Sequence, residues 1–215
     1  MEKKHQVHNL IILDESGSME SIKEPIISGF NELVQTIKGI EKDYPEQEHF
    51  ITFVTFNGRE RRVVHFTEPA SKLEMIDGSK YQPNASTPLY DAMGDSMTSL
   101  KQALAKRTDY NVLVTILTDG EENASKEYKG DAIKKLVEEM KMSGWTFTYI
   151  GTDHDIEKFA TNISINNTMY FKKDLHGVND MFEKERHARA MYSQKIREKK
   201  NTDDDFYKPE EPKKS

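Results

Sequence analysis

Residues 7–18 read VHNLIILDESGS, an apolar run that ends in acidic and hydroxyl side chains. The run is short and rich in branched residues, which is typical of a strand buried on both faces of a sheet. Asp14, Ser16 and Ser18 follow it directly and alternate along the chain. Residues i, i+2 and i+4 of an extended segment point to one side. This turn can therefore present one carboxylate and two hydroxyls to a common point.

Helical and strand patterns alternate along the rest of the chain. Asn57-Gly58 predicts a hairpin, so the strand that follows it should run antiparallel. The predicted strands are 7–13, 49–56, 61–66, 110–117, 145–150 and 168–171, and the predicted helices are 22–40, 71–76, 89–104, 132–140, 156–163 and 178–199. The order predicts an α/β fold, a Rossmann-like doubly wound sheet of six mostly parallel strands with one antiparallel edge strand and helices on both faces. Such sheets bind ligands at the carboxyl ends of their strands.

Three segments bring oxygen ligands to that edge of the predicted sheet. Asp14, Ser16 and Ser18 follow the first strand, Thr87 lies in a long irregular loop, and Asp119 follows the strand at 110–117. Carboxylate and hydroxyl oxygens are hard ligands that suit Mg²⁺ or Mn²⁺, and they do not suit zinc or copper. The sequence therefore predicts a divalent metal site.

The charge of this ligand set indicates how the site is used. If only Asp14 and Asp119 neutralise the ion and the other ligands are hydroxyls and waters, the metal stays electron-poor. An open position on it would attract a carboxylate from another molecule. The sequence therefore predicts a site that is completed by an acidic residue of a protein partner.

These three segments together resemble the metal-ion-dependent adhesion site of von Willebrand factor A domains. The order Asp14-Glu15-Ser16-Gly17-Ser18, Thr87 and Thr118-Asp119-Gly120 matches the family's pattern, and the resemblance covers about residues 5–200. It implies a single-domain protein of the bacterial type that binds Mg²⁺ at the top of the sheet, with Mn²⁺ or Ca²⁺ as alternatives. It also implies that the protein engages protein partners. The five positions that carry the ligands in the family, here Asp14, Ser16, Ser18, Thr87 and Asp119, are all intact. Three further acids, Glu15, Glu121 and Glu122, are expected to add negative charge at the rim.

Size and composition limit the other possibilities. The chain of 215 residues is predicted to form one domain over 1–200 with a charged, disordered tail over 201–215. It has no cysteine, which excludes disulfides and thiolate metal sites. A net charge of −6 argues against nucleic acid as a partner. The apolar run near the N-terminus is too short for a signal peptide or a membrane span, so we expect a cytoplasmic protein. The sequence does not indicate an oligomeric state.

A purely structural interpretation of the same residues remains open. Asp14 and Ser16 could cap the first helix, Ser18 could be its N-cap, and Asp119-Gly120 could be an ordinary turn. Weaker signals have structural interpretations too. His5 and His8 lie at the start of the first strand, at the opposite edge of the sheet, while Asp153-His154-Asp155 is expected to cap a helix and Asp91 and Asp95 to complement the dipole of another.

Three functional classes are compatible with the sequence. A non-enzymatic, metal-dependent protein-binding module is preferred. A Mg²⁺-dependent phosphatase or phosphoryl-transfer enzyme is an alternative, because an aspartate after the first strand could act as a nucleophile. Against it, Ser16 stands where a partner acid would be needed, and neither G-x-x-x-x-G-K nor G-x-G-x-x-G occurs. A regulatory subunit of an ATPase-linked complex is the third possibility, which rests on family analogy alone.

Overall fold

Six strands form a single sheet in the order β3-β2-β1-β4-β5-β6 in the computed structural model, which describes residues 4–152, 155–203 and 205–208. The strands are β1 (His5–Asp14), β2 (Gln47–Phe56), β3 (Arg61–Pro69), β4 (Tyr110–Leu117), β5 (Trp145–Gly151) and β6 (Asn167–Tyr170). All neighbouring pairs are parallel except β2 and β3, and β3 is the antiparallel edge strand. The predicted fold class is confirmed, including the hairpin after β2.

The alternation of side chains along β1 explains why both faces of the sheet are covered. Leu10 and Ile12 belong to one apolar core, and Ile11 and Leu13 belong to the core on the opposite face. The residues that the structure describes include the α-helices α1 (Lys23–Asp43), α2 (Leu89–Leu104), α3 (Gly130–Met142), α4 (Ile156–Asn162) and α5 (Leu175–Arg197). Helices α2, α3 and α4 pack on the first core, and α1 and α5 pack on the second. Within the described ranges, none of these helices combines the length and apolar character that a bilayer span requires.

The helix predicted at 71–76 is wrong, because only a single 3₁₀ turn forms there, at Ala70–Lys72. Leu73 and Ile76 are buried in the core beneath α1. Side chains of α1 replace the hydrogen bonds that a helix would have made. Lys38 Nζ donates to Leu73 O over 2.8 Å, and Asn31 both donates to Ile76 O and accepts from Ile76 N at 2.8 Å. The carbonyl of Leu73 and both backbone groups of Ile76 are therefore paired although no helix forms.

Part of the segment predicted to be a disordered tail over 201–215 packs against the rest of the protein. Phe206 is only 4% exposed, and its backbone N–H donates to Asn167 Oδ1 over 3.1 Å. The Tyr207 ring packs edge-on against Phe206. These two aromatic residues lie among charged ones, so the local composition concealed their packing. Residues 209–215 lie outside the described part of the chain.

A polar layer lies between α5 and the sheet. Arg189 donates to Glu185 Oε1 at 2.9 Å, to Asn9 Oδ1 at 2.6 Å and to Thr115 Oγ1 at 2.7 Å. The second Glu185 oxygen accepts from the Tyr207 hydroxyl over 2.7 Å. The Glu185 and Arg189 side chains are 1% and 2% exposed, so this ion pair is fully buried. It ties α5 to β1 and β4.

Candidate functional site

Asp14, the last residue of β1, is completely buried at the carboxyl edge of the sheet. Its Oδ1 accepts a hydrogen bond from the backbone N–H of Ser16 at 2.7 Å, and its Oδ2 accepts one from the hydroxyl of Thr118 at 2.6 Å. The Tyr81 hydroxyl donates to the backbone carbonyl of the same aspartate over 2.7 Å. The carboxylate is therefore fixed in orientation by the next turn and by the residue that follows β4.

The two serines and the second aspartate form a connected row of oxygens. Ser16 Oγ lies 3.1 Å from Ser18 Oγ, and Ser18 Oγ donates to Asp119 Oδ1 over 2.6 Å. The capping interpretation of the serines does not hold. Ser16 precedes the 3₁₀ turn Gly17–Ile22 without making a side-chain capping bond, and the N-cap of α1 is Ile22. The Ser18 hydroxyl bonds to Asp119 instead, and the Ser16 hydroxyl lies next to that of Ser18.

Thr87 reaches the same place from the loop before α2. A Cβ built on Gly120 would lie 3.8 Å from Thr87 Oγ1 and 4.0 Å from Ser18 Oγ, so both hydroxyls face this glycine. Asn123 holds the threonine by a reciprocal pair of bonds. The Thr87 N–H donates to Asn123 Oδ1 at 3.0 Å, and the Asn123 N–H donates to Thr87 O at 3.2 Å. No sequence signal had marked Asn123.

The donor set fits a hard divalent ion. Cis ligands of an octahedral ion at about 2.1 Å are about 3.0 Å apart, close to the Ser16–Ser18 spacing of 3.1 Å. Two carboxylates and three hydroxyls come from three separate segments and approach one another at the sheet edge. In the described part of the chain, no cluster of three or more His, Cys, Asp or Glu side chains could hold a metal.

Burial raises the pKa of Asp14 from 3.8 to about 6. The hydrogen bonds from Thr118 and Ser16 act in the opposite direction, and the nearby charge of Asp119 raises the pKa further. Two carboxylates are thus held close together in a poorly solvated position. Such an arrangement favours a compensating positive charge.

A lysine supplies part of that charge, and the sequence analysis missed it. Lys173, in the turn between β6 and α5, places Nζ 2.6 Å from Asp119 Oδ2. The two groups form an ion pair, but their relative orientation does not meet the geometry of a hydrogen bond. The Asp119 side chain is fully buried, while that of Lys173 is 24% exposed. In the sequence, the one indication that Lys173 lies near the site was its position after a predicted strand, at the same edge of the sheet.

Two of the three acids expected at the rim have structural partners. Glu15 is 1% exposed, and its Oε1 accepts from Arg62 Nη2 over 2.7 Å and from the backbone N–H of Gln82. Glu122 accepts hydrogen bonds from three backbone N–H groups, those of Tyr90, Ala124 and Ser125. Only Glu121 is exposed as expected. Glu15 and Glu122, expected to add negative charge at the rim, are thus engaged in contacts within the fold.

The other histidines and acids that the sequence singled out make contacts that support the fold. His5 bonds to Asp109 at 2.6 Å and to Asn111 at 2.9 Å, and the buried ring of His8 stacks on Phe50. Asp155 caps α4, as predicted, by accepting from the Lys158 N–H, while residues 153 and 154 lie outside the described residues. The two acids of α2 do more than complement its dipole. Asp91 accepts from the backbone N–H groups of residues 126–128, and Asp95 pairs with Arg61 at 3.2 Å.

Comparison with known proteins agrees with this architecture. A family model for the von Willebrand factor type A domain matches residues 10–193. Proximal thread matrix protein 1 from the mussel byssus has a TM-score of 0.57 at 14% identity, over 84% of this chain and 45% of that chain. The chain thus spans less than half of the mussel protein. No curated protein sequence matches it.

Two further solved structures share the fold. The vWF domain of the type V pili tip protein Mfa5 from Porphyromonas gingivalis has a TM-score of 0.52 at 12% identity, over 85% of this chain and 95% of that chain. The manganese-loaded TRAP protein of Plasmodium vivax has a TM-score of 0.54 at 16% identity, over 83% and 71% of the two chains. At these identities, the likeness concerns the fold alone.

Proposed function

Since this chain belongs to the von Willebrand factor type A domain family, whose members often bind proteins through metal-dependent sites, we propose that it is a non-enzymatic, Mg²⁺-dependent protein-binding module. Its partner would supply a carboxylate to the site at the carboxyl edge of the sheet. Mn²⁺ or Ca²⁺ could replace Mg²⁺, since both also take oxygen ligands.

The observation that carries this proposal is the row of oxygens from Ser16 through Ser18 to Asp119, which lies beside the fixed carboxylate of Asp14. These four residues and Thr87 are the proposed ligands, directly or through water. Thr118 would orient Asp14, and Asn123 would orient Thr87. A divalent ion held there would supply a Lewis-acidic position for an outside carboxylate oxygen.

Asp14→Asn provides a direct test, because the substitution keeps the shape of the side chain and removes its charge. We expect titration calorimetry to detect Mg²⁺ and Mn²⁺ binding to the natural protein and to find it abolished in the variant. Asp131→Ala, on the exposed first turn of α3, is the control and should bind as the natural protein does. Unchanged affinity in Asp14→Asn, with a native circular dichroism spectrum, would refute the proposed site.

The same variant tests the use of the ion in binding partners. Proteins captured by the natural chain and released by EDTA should also be absent from captures made with Asp14→Asn. A partner that is retained both in EDTA and with Asp14→Asn does not use the site.

The non-enzymatic part of the proposal predicts no Mg²⁺-dependent turnover of phosphomonoesters above background. The cytoplasmic location, the domain limit at residue 200, the bacterial single-domain type and the link to an ATPase complex stay predictions.

A further inference from the structure

The two oxygens of Asp119 face different partners. Oδ1 accepts from the hydroxyl of Ser18 at 2.6 Å, on the side of the proposed ligands. Oδ2 lies 2.6 Å from the ammonium nitrogen of Lys173. The lysine is thus positioned behind the carboxylate, where it can stay while Oδ1 serves the ion site.

The backbone around Lys173 holds it at this position. The next residue, Asp174, is the N-cap of α5 and accepts from the Gly177 N–H over 2.7 Å. A Cβ at Gly177 would lie only 2.3 Å from the carbonyl oxygen of Lys172, so the turn is tight and requires glycine. A lysine on such a turn is partly pre-positioned, which reduces the entropy lost in forming the ion pair.

The charges near the site make this ion pair significant. Asp14 and Asp119 are the two acidic ligands, and Lys173 offsets one of their two charges. Glu15 adds little negative charge, because Arg62 pairs with it at 2.7 Å. A positive group beside a ligand carboxylate weakens its attraction for a cation through Coulomb repulsion. The same group makes the occupied site more positive towards an approaching anion.

We propose that Lys173 determines the ion affinity of this site, weakening the binding of a divalent cation and increasing the positive charge that a partner's carboxylate meets. The inference rests on the proposed function and adds a residue that lies outside the ligand set. Lys173 acts through Asp119 and is a positioning residue.

The test compares Mn²⁺ affinities measured by titration calorimetry. Lys173→Met keeps the length of the side chain and removes its charge, and we expect it to bind Mn²⁺ about tenfold more tightly, or about 1.4 kcal/mol. Lys173→Arg retains the charge and should bind within about twofold of the natural protein. Lys172→Met, on the exposed neighbouring side chain, is the matched control and should leave the affinity unchanged.

Stability without metal is the second readout. Lys173→Met leaves the buried carboxylate of Asp119 without its cation, so the urea midpoint in EDTA should fall, and Mn²⁺ should restore it. A lysine with only a structural role would give lower stability without tighter Mn²⁺ binding. Lys173→Gln is a second neutral variant with the same expectation if the methionine variant does not fold.

The outcomes separate this inference from the proposed function. Equal or weaker Mn²⁺ binding in the neutral variants would overturn the inference alone, provided that the natural protein binds Mn²⁺ and Asp14→Asn does not. If neither the natural protein nor any Lys173 variant binds Mn²⁺, both proposals fail. Tighter binding in the neutral variants, with Lys173→Arg unchanged, would support the inference.

Discussion

At the scale of single residues, Asp14 depends on neighbours that hold both of its carboxylate oxygens. The Ser16 N–H holds one and the Thr118 hydroxyl holds the other. Burial alone would favour the protonated acid, and these two bonds favour the charged form. The ligand role proposed for Asp14 requires the charged form, which the same two donors favour.

We predict that Thr118→Val destabilises the protein by about 1–3 kcal/mol, because a completely buried carboxylate oxygen loses its donor while the shape of the side chain is preserved. Urea unfolding in EDTA measures the loss. Thr118→Ser keeps the hydroxyl and should retain most of the stability. A valine variant as stable as the natural protein would mean that the bond contributes nothing to Asp14.

The sequence predicted the side chains of the site better than the groups that position them. Asp14, Ser16, Ser18, Thr87 and Asp119 form a recognisable pattern, and the structure brings them to one edge of the sheet. Asn123 and Lys173 act through tertiary contacts between loops distant in sequence. Such contacts leave no periodic pattern, so only the folded chain reveals them. The ligand roles themselves stay predictions.

At the scale of elements, α1 carries two glycines in very different surroundings. A Cβ on Gly29 would lie 2.0 Å from a ring carbon of Phe182, so this glycine allows α1 and α5 to approach closely. Gly39 lies further along the same helix, and a Cβ placed there would have no neighbour within 4 Å. Glycine in a helix interior is otherwise unfavourable relative to alanine.

We therefore predict opposite effects for the same substitution at these two positions. Gly29→Ala should lower the free energy of unfolding by about 1–3 kcal/mol through overpacking against Phe182. Gly39→Ala should raise it by about 0.5–1 kcal/mol through helix propensity. Thermal or urea unfolding of both variants gives the comparison. A destabilised Gly39→Ala variant would show that α1 has a packing contact at that position.

Element prediction failed where side chains from elsewhere replaced local hydrogen bonds. The segment at 71–76 has a helical spacing of apolar residues, but Asn31 and Lys38 of α1 bond to its backbone and hold it extended. The buried strands were easier to predict. For β4 the predicted limits, 110–117, coincide with the strand in the structure, because its apolar run ends sharply at polar residues.

At the scale of the whole molecule, the polar layer beneath α5 joins the last helix to the centre of the sheet. Arg189 contacts both Asn9 of β1 and Thr115 of β4, and Glu185 contacts Tyr207 beyond the helix. Breaking a buried ion pair costs far more than the pair contributes, since one charge is left uncompensated. The helix is therefore held in one position by its polar contacts as well as by its apolar ones.

We predict that Arg189→Met lowers the free energy of unfolding by about 3–5 kcal/mol, because Glu185 is left charged and buried. Arg186→Met is the control on the same helix. Arg186 pairs with Glu32 at a partly exposed position, so its loss should cost at most about 1 kcal/mol. Urea unfolding of both variants tests the contrast, and similar losses for the two would contradict it.

Two buried histidines predict a fall in stability under mildly acidic conditions. Burial lowers the pKa of His49 from 6.5 to about 3, with a further contribution from Arg189, and burial next to Arg107 lowers that of His8 to about 4. Below pH 6.5 the unfolded chain takes up protons that the folded chain cannot. The free energy of unfolding should then decrease by up to about 1.4 kcal/mol per pH unit per histidine, down to about pH 4.

A variant is needed to isolate the contribution of His49 to this pH dependence, because Asp14 changes the free energy of unfolding in the opposite direction. The raised pKa of Asp14 means that, as the pH falls, this carboxylate takes up a proton in the folded state before it does so in the unfolded state. Urea unfolding between pH 7.5 and pH 4.5 should show a smaller loss for His49→Gln than for the natural protein. His176→Gln, on a side chain that is 90% exposed, should follow the natural protein. Equal pH profiles for all three would contradict the prediction.

The docking of Phe206 beyond α5 has a practical consequence for work with this protein. The polar composition after residue 200 suggests that the chain could be shortened there. Such a truncation would remove Phe206, whose ring packs against Tyr192 and whose backbone N–H bonds to Asn167. It would also delete the phenol that bonds to Glu185. Shortened versions intended for crystallisation should therefore retain residues through Lys208, and affinity tags are better joined beyond that point.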